Sequence, residues 1–324
     1  MIYLKPDVEL RHLGYFVAIA EAGTISGAAA RLGIAQPSLS EVLVRLEKQL
    51  GVQLVIRSSR GAQLTEAGAK LADLSRDLLR GMASALDEVR HLGGEPRGQV
   101  AIGLPPSLSL LLGVPLVESV RQALPLVKLR VVEAMSGYIR QWVTTEHVDM
   151  GGIYEGQDCS HLTAQVLMRE ELFLVTAPDN WPPSFVKAGD ARNTIEFAAL
   201  SELPLILPSR PHGLRELLER QARSENVELN VVTEIDALRQ ITTIVDRASA
   251  YTILPHAAVL AEVEQGRLVL INIIKPPTQR TAYIVRKKGR PVSRSSQAVE
   301  AMIGTIIGEL VRRHALKAML PGSF

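Results

Sequence analysis

Residues Ala28 to Glu47 read AAARLGIAQPSLSEVLVRLE, and the spacing of their apolar side chains decides how the first fifth of the chain folds. Leu39, Leu43, Leu46 and Leu50 repeat at intervals of four, three and four, the period that lays one apolar stripe along one side of a helix. Ser38, Ser40, Glu41, Arg45 and Lys48 fall off that stripe and form a small, hydrogen-bonding, partly cationic outer face. Upstream, Ser26 is placed to cap a compact helix carrying Ala28, Ala29, Ala30 and Leu32, and Gly33 supplies the left-handed residue that stops it. Pro37 falls in the first turn of the next helix, where its missing N–H is no loss.

Two short helices joined by a glycine turn make either an ordinary αα-hairpin or a helix-turn-helix unit that offers its second helix to a DNA major groove. The flanking residues bear on that choice. LRHLGYFVAIAEAG, from Leu10 to Gly23, predicts a preceding helix with Leu10, Leu13, Val17 and Ala20 on one face. LGVQLVIRSSRGAQLTEAG predicts a strand at Gln53 to Ile56, a basic turn through Arg57, Ser58, Ser59, Arg60 and Gly61, and a strand at Gln63 to Thr65. A hairpin with two arginines beside such a helix is a wing, positioned for phosphates or the minor groove.

At 324 residues the chain is long enough for at least two domains. Its formal net charge of +2 is weak support for a nucleic-acid partner. Between Thr24 and Gly61, however, Arg31, Arg45, Lys48, Arg57 and Arg60 stand against only Glu41 and Glu47, so phosphate attraction is expected to be local. The single cysteine, Cys159, rules out an intrachain disulfide and suits a reducing cytoplasm. MIYLKPDVELRHL lacks the pattern of an export signal and no apolar run reaches membrane-spanning length, so neither secretion nor membrane insertion is expected.

Leu71, Leu74, Leu78, Met82, Ala85 and Val89 follow a three-and-four spacing from a Thr65 cap to a stop at Gly93 and Gly94, which predicts one long helix to His91. Its stripe needs a partner, either the same helix of a second subunit or its own winged domain. Beyond a hinge at residues 93–98 the pattern becomes alternating strands and helices. Strands are predicted at Val100 to Leu104, Leu126 to Val132, Asp149 to Ile153, Leu172 to Thr176, Leu205 to Leu207, Val231 to Ile235, Tyr251 to Leu254, Leu268 to Ile271 and Thr281 to Arg286. Helices are predicted at about Leu108 to Ala123, Tyr138 to His147, Leu214 to Arg223, Leu238 to Arg247 and Val299 to Arg312. This is the grammar of an α/β layer with a mainly parallel sheet, and two such lobes imply a cleft at the carboxyl ends of the strands.

The run FVAIAEAGTISGAAARLGIAQPSLSEVLVRLEKQLGVQLVIRSSRGAQLTEAG resembles the winged helix-turn-helix of LysR-type transcriptional regulators. It matches that family's AA-x-x-L, QP-x-LS, LE-x-x-LG-x-x-L and LT-x-AG elements in order and spacing. The segments GQVAIGLPPS, VVEAMSG, HVDMGGIY and LPLILPSRPHGLR resemble the family's effector domain, which has the fold of type II periplasmic solute-binding proteins. The resemblance implies an α/β multidomain protein: a winged helix-turn-helix over residues 8–65 (its helix-turn-helix about 25–44), a linker and dimerisation helix over 66–94, and a two-lobed effector-binding domain over 97–324. Lobe 1 would take about 97–168 and 272–310, and lobe 2 about 169–271. It also implies a homodimer or homotetramer that reads a pseudo-palindromic site in double-stranded DNA under control of a small effector. Family DNA contacts fall on Gln36, Pro37, Ser38, Ser40, Arg45, Arg57 and Arg60. Glu41 departs from the Arg, Gln or His frequent there; it would repel phosphates but could accept from a cytosine amino group. A second departure is Ala248, Ser249, Ala250 and Tyr251, where the family is glycine-rich.

Ser107, Ser136 and Gly137 sit at strand ends that carry effector contacts in the family, and Pro208, Ser209 and Arg210 follow the first strand of the second lobe. With positive charge from His212 or Arg215, these groups would suit a small carboxylate or other oxyanion. Taken singly, each serine reads more readily as a helix cap or turn residue than as a ligand contact; the cleft reading rests on the three coinciding at strand ends. Enzyme readings have less support. Asp158, Cys159 and His161 lack a partnered base at defined spacing, and no GxGxxG, P-loop, HExxH or CxxC pattern is present, so no cofactor or metal is expected. His147 and Asp149 read as a solvated pair, His256 as a structural residue opening a helix, and Arg286, Lys287, Lys288, Arg290 and Arg294 as solvated surface. A solute-binding protein would share the lobes but has no use for the first third of the chain. A metabolic enzyme on the same lobes would have to turn over its ligand.

Overall fold

A computed structural model describes residues 8–58, 61–90, 94–154, 159–182, 193–210 and 212–322. The chain divides into two compact units between residues 93 and 94. The first unit runs α1 (Leu10–Ala22), α2 (Ile25–Leu32), α3 (Gln36–Leu50), β1 (Val55–Ser58), β2 (Gly61–Leu64) and α4 (Glu66–Arg90). Leu39, Leu43 and Leu46 of α3 are buried with Phe16, Ile19, Ala28, Ala29 and Leu54, each large side chain contributing about 1.5–3 kcal/mol relative to exposure. Leu50 does not join them. It closes the helix one residue before the left-handed Gly51 and is 40% exposed.

Three local details differ from the sequence reading. The cap of α2 is Thr24, whose extended backbone lets its hydroxyl accept from Gly27 N at 3.1 Å; Ser26 lies within the first turn. The core face of α1 is His12, Phe16 and Ile19, while Leu13 and Val17 are only partly buried and Leu10 is exposed. Apolar residues occupy both sides because α1 packs on α4 as well as on α2 and α3, with Gly14 facing Leu79. The wing strands pair antiparallel from Val55↔Leu64 to Ser58↔Gly61, later in the first arm than expected. Glu47 fixes this register from α3: its Oε1 accepts from Leu54 N and Val55 N at 2.8 and 3.1 Å. Gly68 is required where α4 begins, because a Cβ there would overlap the Leu54 carbonyl oxygen. Along α4, Thr65 caps the start and Ala72 is buried, but Leu74, Leu78, Met82 and Val89 are exposed.

The second unit continues β3 (Gly98–Leu104), α5 (Pro106–Ala123), β4 (Val127–Glu133), α6 (Ser136–Thr144), β5 (Met150–Tyr154), β6 (Leu162–Thr176), β7 (Thr194–Glu196), β8 (Leu205–Leu207), α7 (Gly213–Ser224), β9 (Val231–Glu234), α8 (Leu238–Asp246), β10 (Thr252–Pro255), α9 (Leu260–Glu264), β11 (Val269–Ile274), β12 (Gln279–Lys287), α10 (Arg294–Arg313) and β13 (Ala318–Met319). The main sheet among the described residues runs β4-β3-β5-β12-β6-β11-β7, with β10 and β13 also on β6. It is mixed, not mainly parallel: β3 pairs parallel with β4 and β5, whereas β12, β10, β11 and β13 all run antiparallel to β6.

Strand β6 is ten residues longer at its start than the sequence reading had it, and it ties the two lobes together. Residues 162–171 pair with β12, and residues 172–176 with β10 and β11. On either side lie separate cores. One contains Val100, Ile102, Leu112, Leu116, Val299 and Ile303, the other Leu174, Phe197, Leu205, Leu218, Ile241 and Ile253. Within the stretch that departs from the family's glycine pattern, Ala248 takes φ +55°, a conformation glycine tolerates best.

Candidate functional site

Helix α3 presents Gln36, Pro37, Ser38, Glu41 and Arg45 to solvent, with Ser40 half-buried. Its N-cap, Ala35, makes no side-chain cap, so the amides of Gln36 and Ser38 have no acceptor among the described residues at an exposed helix start, the kind of end that suits an anion. Glu41 and Arg45 are one turn apart and approach to 3.5 Å, both exposed, so the acidic departure tempers the cation it accompanies. Arg31 pairs with Glu21 at 2.8 Å. Arg57 lies on β1, and Arg60 falls outside the described residues.

In the second unit a small cavity of about 40 Å³ and a wider one of about 730 Å³ adjoin, sharing Met135, Ser136, Tyr154, Gly213 and Asp236. The small cavity takes in Ser107, Ser136 and Pro208; Gly137, Ser209 and Arg210 line the wider one. All six residues singled out in the sequence therefore border one continuous site. Four helices start on the small cavity, through Pro106 and Ser107 of α5, Ser136 of α6, Gly213 and Leu214 of α7 and Leu238 of α8. The N-caps of α5, α6 and α8 are Pro105, Met135 and Ala237, none of which makes a side-chain cap. Uncapped helix starts aimed at one point concentrate N–H donors and positive dipole ends there.

The charged groups are arranged differently from the sequence reading. Ser209 donates from its amide and its hydroxyl to Asp236 Oδ1, at 2.9 and 2.6 Å. These two bonds hold the Asp236 carboxyl below its usual range. Arg210 is engaged by Glu219 at 2.7 Å, and Arg215 by Glu219, Glu234 and the Pro208 carbonyl. His212 caps α7 by accepting from Leu214 N at 3.1 Å. Burial, then the nearby Arg280, lower its pKa to about 4, so it is neutral near neutral pH and supplies no positive charge.

The cation of the small cavity is Arg280; Arg140 and Arg210 line the wider one. Arg280 is 4% exposed. Its Nε donates to Glu170 at 2.7 Å, its Nη2 donates to Ser107 Oγ at 2.9 Å, and its guanidinium lies 3.5 Å from the ring centroid of Tyr154. Nη1 has no hydrogen-bond acceptor among the described residues. Tyr154 Oη is 2.8 Å from Ser107 Oγ, and burial raises its pKa, so it stays neutral. Ser136 Oγ accepts from Tyr154 N at 3.2 Å. Arg280 and Glu170 are direct cross-strand partners of β12 and β6. In sequence they lie just ahead of the apolar runs at Leu172 and Thr281, Glu170 between Arg169 and Glu171 and Arg280 beside Gln279, and only the strand register brings them together.

Other sequence candidates resolve as structural groups. Asp149 accepts from Ala101 N and pairs with Arg290, while His147 contacts Thr145, so they are not a solvated pair. Arg286, Lys287 and Arg290 form ion pairs with Glu300, Glu146 and Asp149 instead of lying free in solvent. His256 opens a short 3-10 helix. Cys159 borders the wider cavity, and Asp158 lies outside the described residues.

Two family descriptions match the chain: "Bacterial regulatory helix-turn-helix protein, lysR family" over residues 10–69, and "LysR substrate binding domain" over residues 93–308. The chain belongs to the LysR family. It is 27% identical over 301 residues to the nitrogen assimilation regulatory protein nac of Klebsiella aerogenes, covering 93% of this chain and 95% of that one. It is 26% identical over 297 residues to the DNA-binding transcriptional dual regulator OxyR of Escherichia coli strain K12, covering 91% and 95%. Among solved structures, a full-length OxyR from Pseudomonas aeruginosa gives a TM-score of 0.70 at 20% identity, over 92% of this chain and 97% of that one. Full-length CbnR in complex with its target DNA gives 0.60 at 20% identity, over 95% and 100%. These two share the fold. This LysR-family member is thus a DNA-binding transcriptional regulator with an effector-binding domain, and its relatives are regulators, not enzymes. No helix among the described residues is long and apolar enough to cross a membrane.

Proposed function

We propose that this LysR-family regulator binds a pseudo-palindromic promoter site as a homodimer or homotetramer in the cytoplasm, under the control of a small anionic effector, with a carboxylate as its anion. On the DNA side, Gln36, Ser38 and Ser40 contact base edges or nearby phosphates, Pro37 starts the helix, and Arg45, Arg57 and Arg60 hold the backbone. Glu41 accepts from a cytosine amino group. On the effector side, Ser107, Ser136, Gly137, Pro208, Ser209 and Arg210 border the ligand, and a change in lobe closure favours one DNA-bound arrangement.

The observation that carries the anionic reading is the convergence of three uncapped helix starts with the unaccepted Nη1 of Arg280 on one small cavity. A carboxylate satisfies all of these donors at once. The test begins with sequencing the genomic DNA fragments that the purified full chain retains. Candidate carboxylates are then titrated against the chain on a retained site. A change in affinity for that site is expected with at least one carboxylate and not with its neutral amide. Equal responses to acid and amide would count against an anionic effector.

A further inference from the structure

Asp236 complicates a purely anionic ligand. It lines both cavities, so it stands beside the uncapped helix starts. Its Oδ1 holds the Ser209 amide and hydroxyl, whereas Oδ2 has no donor among the described residues. The one cation on the small cavity, Arg280, is already matched by Glu170, and His212 adds no charge. The wider cavity adds Arg140 and Arg210, the latter engaged by Glu219, so a ligand bearing only negative charge within the small cavity would bring a second anion next to Asp236 with no further cation on that cavity. A ligand that also carries a positive group removes this conflict.

We propose that the effector is an α-amino acid whose carboxylate meets the uncapped amides of α5 and α6 and Arg280 Nη1 while its ammonium meets Asp236 Oδ2. This rests on the anionic-effector reading above and narrows it. Arg280 and Asp236 both border a cavity of only about 40 Å³, which His212 also lines. That proximity calls for charges separated by one carbon rather than by a long chain. The amino acid's side chain extends into the wider cavity, past Tyr138, Ile153 and Tyr283.

The test uses the full-length wild-type chain and the twenty standard L-amino acids, each titrated separately by calorimetry. Every amino acid that binds is compared with its des-amino carboxylic acid and its α-carboxamide. At least one amino acid is expected to bind, with each of the two analogues about tenfold or more weaker, the scale of a lost charge-assisted hydrogen bond. In Asp236→Asn the gap between the amino acid and its des-amino analogue is expected to shrink to about threefold or less. A des-amino acid that binds wild type as tightly as its parent overturns the α-amino acid while leaving the anionic reading intact, and so does the absence of binding by any of the twenty. A carboxamide that binds as tightly as its parent overturns both. If Asp236→Asn does not fold, because Ser209 depends on it, the wild-type ligand series decides alone.

Discussion

At the scale of single residues, the small cavity is bordered by groups that titrate or pair against their ordinary tendency. His212 has its pKa lowered to about 4 from 6.5, by burial first and Arg280 second. The unfolded chain therefore takes up the proton first. Stability attributable to His212 is complete above about pH 6.5 and is lost as pH falls toward 4. His212→Asn keeps an acceptor for Leu214 N at the start of α7 and has no ring to protonate. It should flatten the fall in unfolding free energy between pH 6.5 and 4, an effect on the order of 2 kcal/mol read by denaturant melts across that range. The Glu170 and Arg280 pair poses a different question. Glu170→Gln leaves a guanidinium buried without its counter-charge, which should cost about 3–5 kcal/mol. Replacing both residues by methionine should cost less than the sum of the single changes in a double-mutant cycle, because no uncompensated charge then remains. Simple additivity would show that the two charges do not support one another.

The elements show where a one-dimensional pattern carries enough information and where it does not. The stripe Leu39, Leu43 and Leu46 was legible because α3 buries one face only, and its period settles which. Helix α1 was misread because it packs on two sides, so that Leu13 and Val17 carry the same period as Phe16 and Ile19 at a different phase. The early half of β6 was missed because LTAQVLMREE alternates poorly and carries three charges, yet Glu170 is buried there through its cross-strand partner. Serines at strand ends could be found from sequence, but Arg280, Tyr154 and Asp236 could not be placed beside them, since β12, β5 and the turn between β9 and α8 that carry them are far apart in the chain. Helix α4 makes a direct prediction at this scale. Leu74, Leu78, Met82 and Val89 lie along it exposed, Leu78 at 52%, with nothing among the described residues of the first unit to cover them. If a second copy covers this stripe, Leu78→Glu should shift the chain to monomer in sedimentation at micromolar concentration, with little change in far-ultraviolet circular dichroism. The slope of log affinity against log salt should fall to about half, because a monomer neutralises half as many phosphates. An unchanged sedimentation coefficient would place the subunit contact elsewhere.

For the whole molecule, the division between residues 93 and 94 separates a DNA-binding unit from a ligand-binding unit, and any regulation has to pass between them as a coupling free energy. That coupling is reciprocal. If an effector changes affinity for the operator by some factor, the operator must change affinity for the effector by the same factor, about 5–150-fold in typical cases. The net charge of +2 is too small for long-range repulsion or attraction to imitate this effect, so a shift of that size has to come from differential contacts. We therefore expect calorimetric titration of the full chain with its effector to give dissociation constants that differ, with and without saturating operator DNA, by the factor measured in the converse DNA titration. A fragment of residues 94–324 should bind the effector with one constant whether DNA is present or not, because the surface that reads DNA lies before residue 94. Matching factors in the full chain and none in the fragment would show that the coupling needs the DNA-binding unit. Because linkage holds wherever the effector binds, a calorimetric constant indifferent to operator, beside an effector-dependent change in operator affinity, would mean that the binding event seen by calorimetry is not the one that controls DNA binding, and that a second site does.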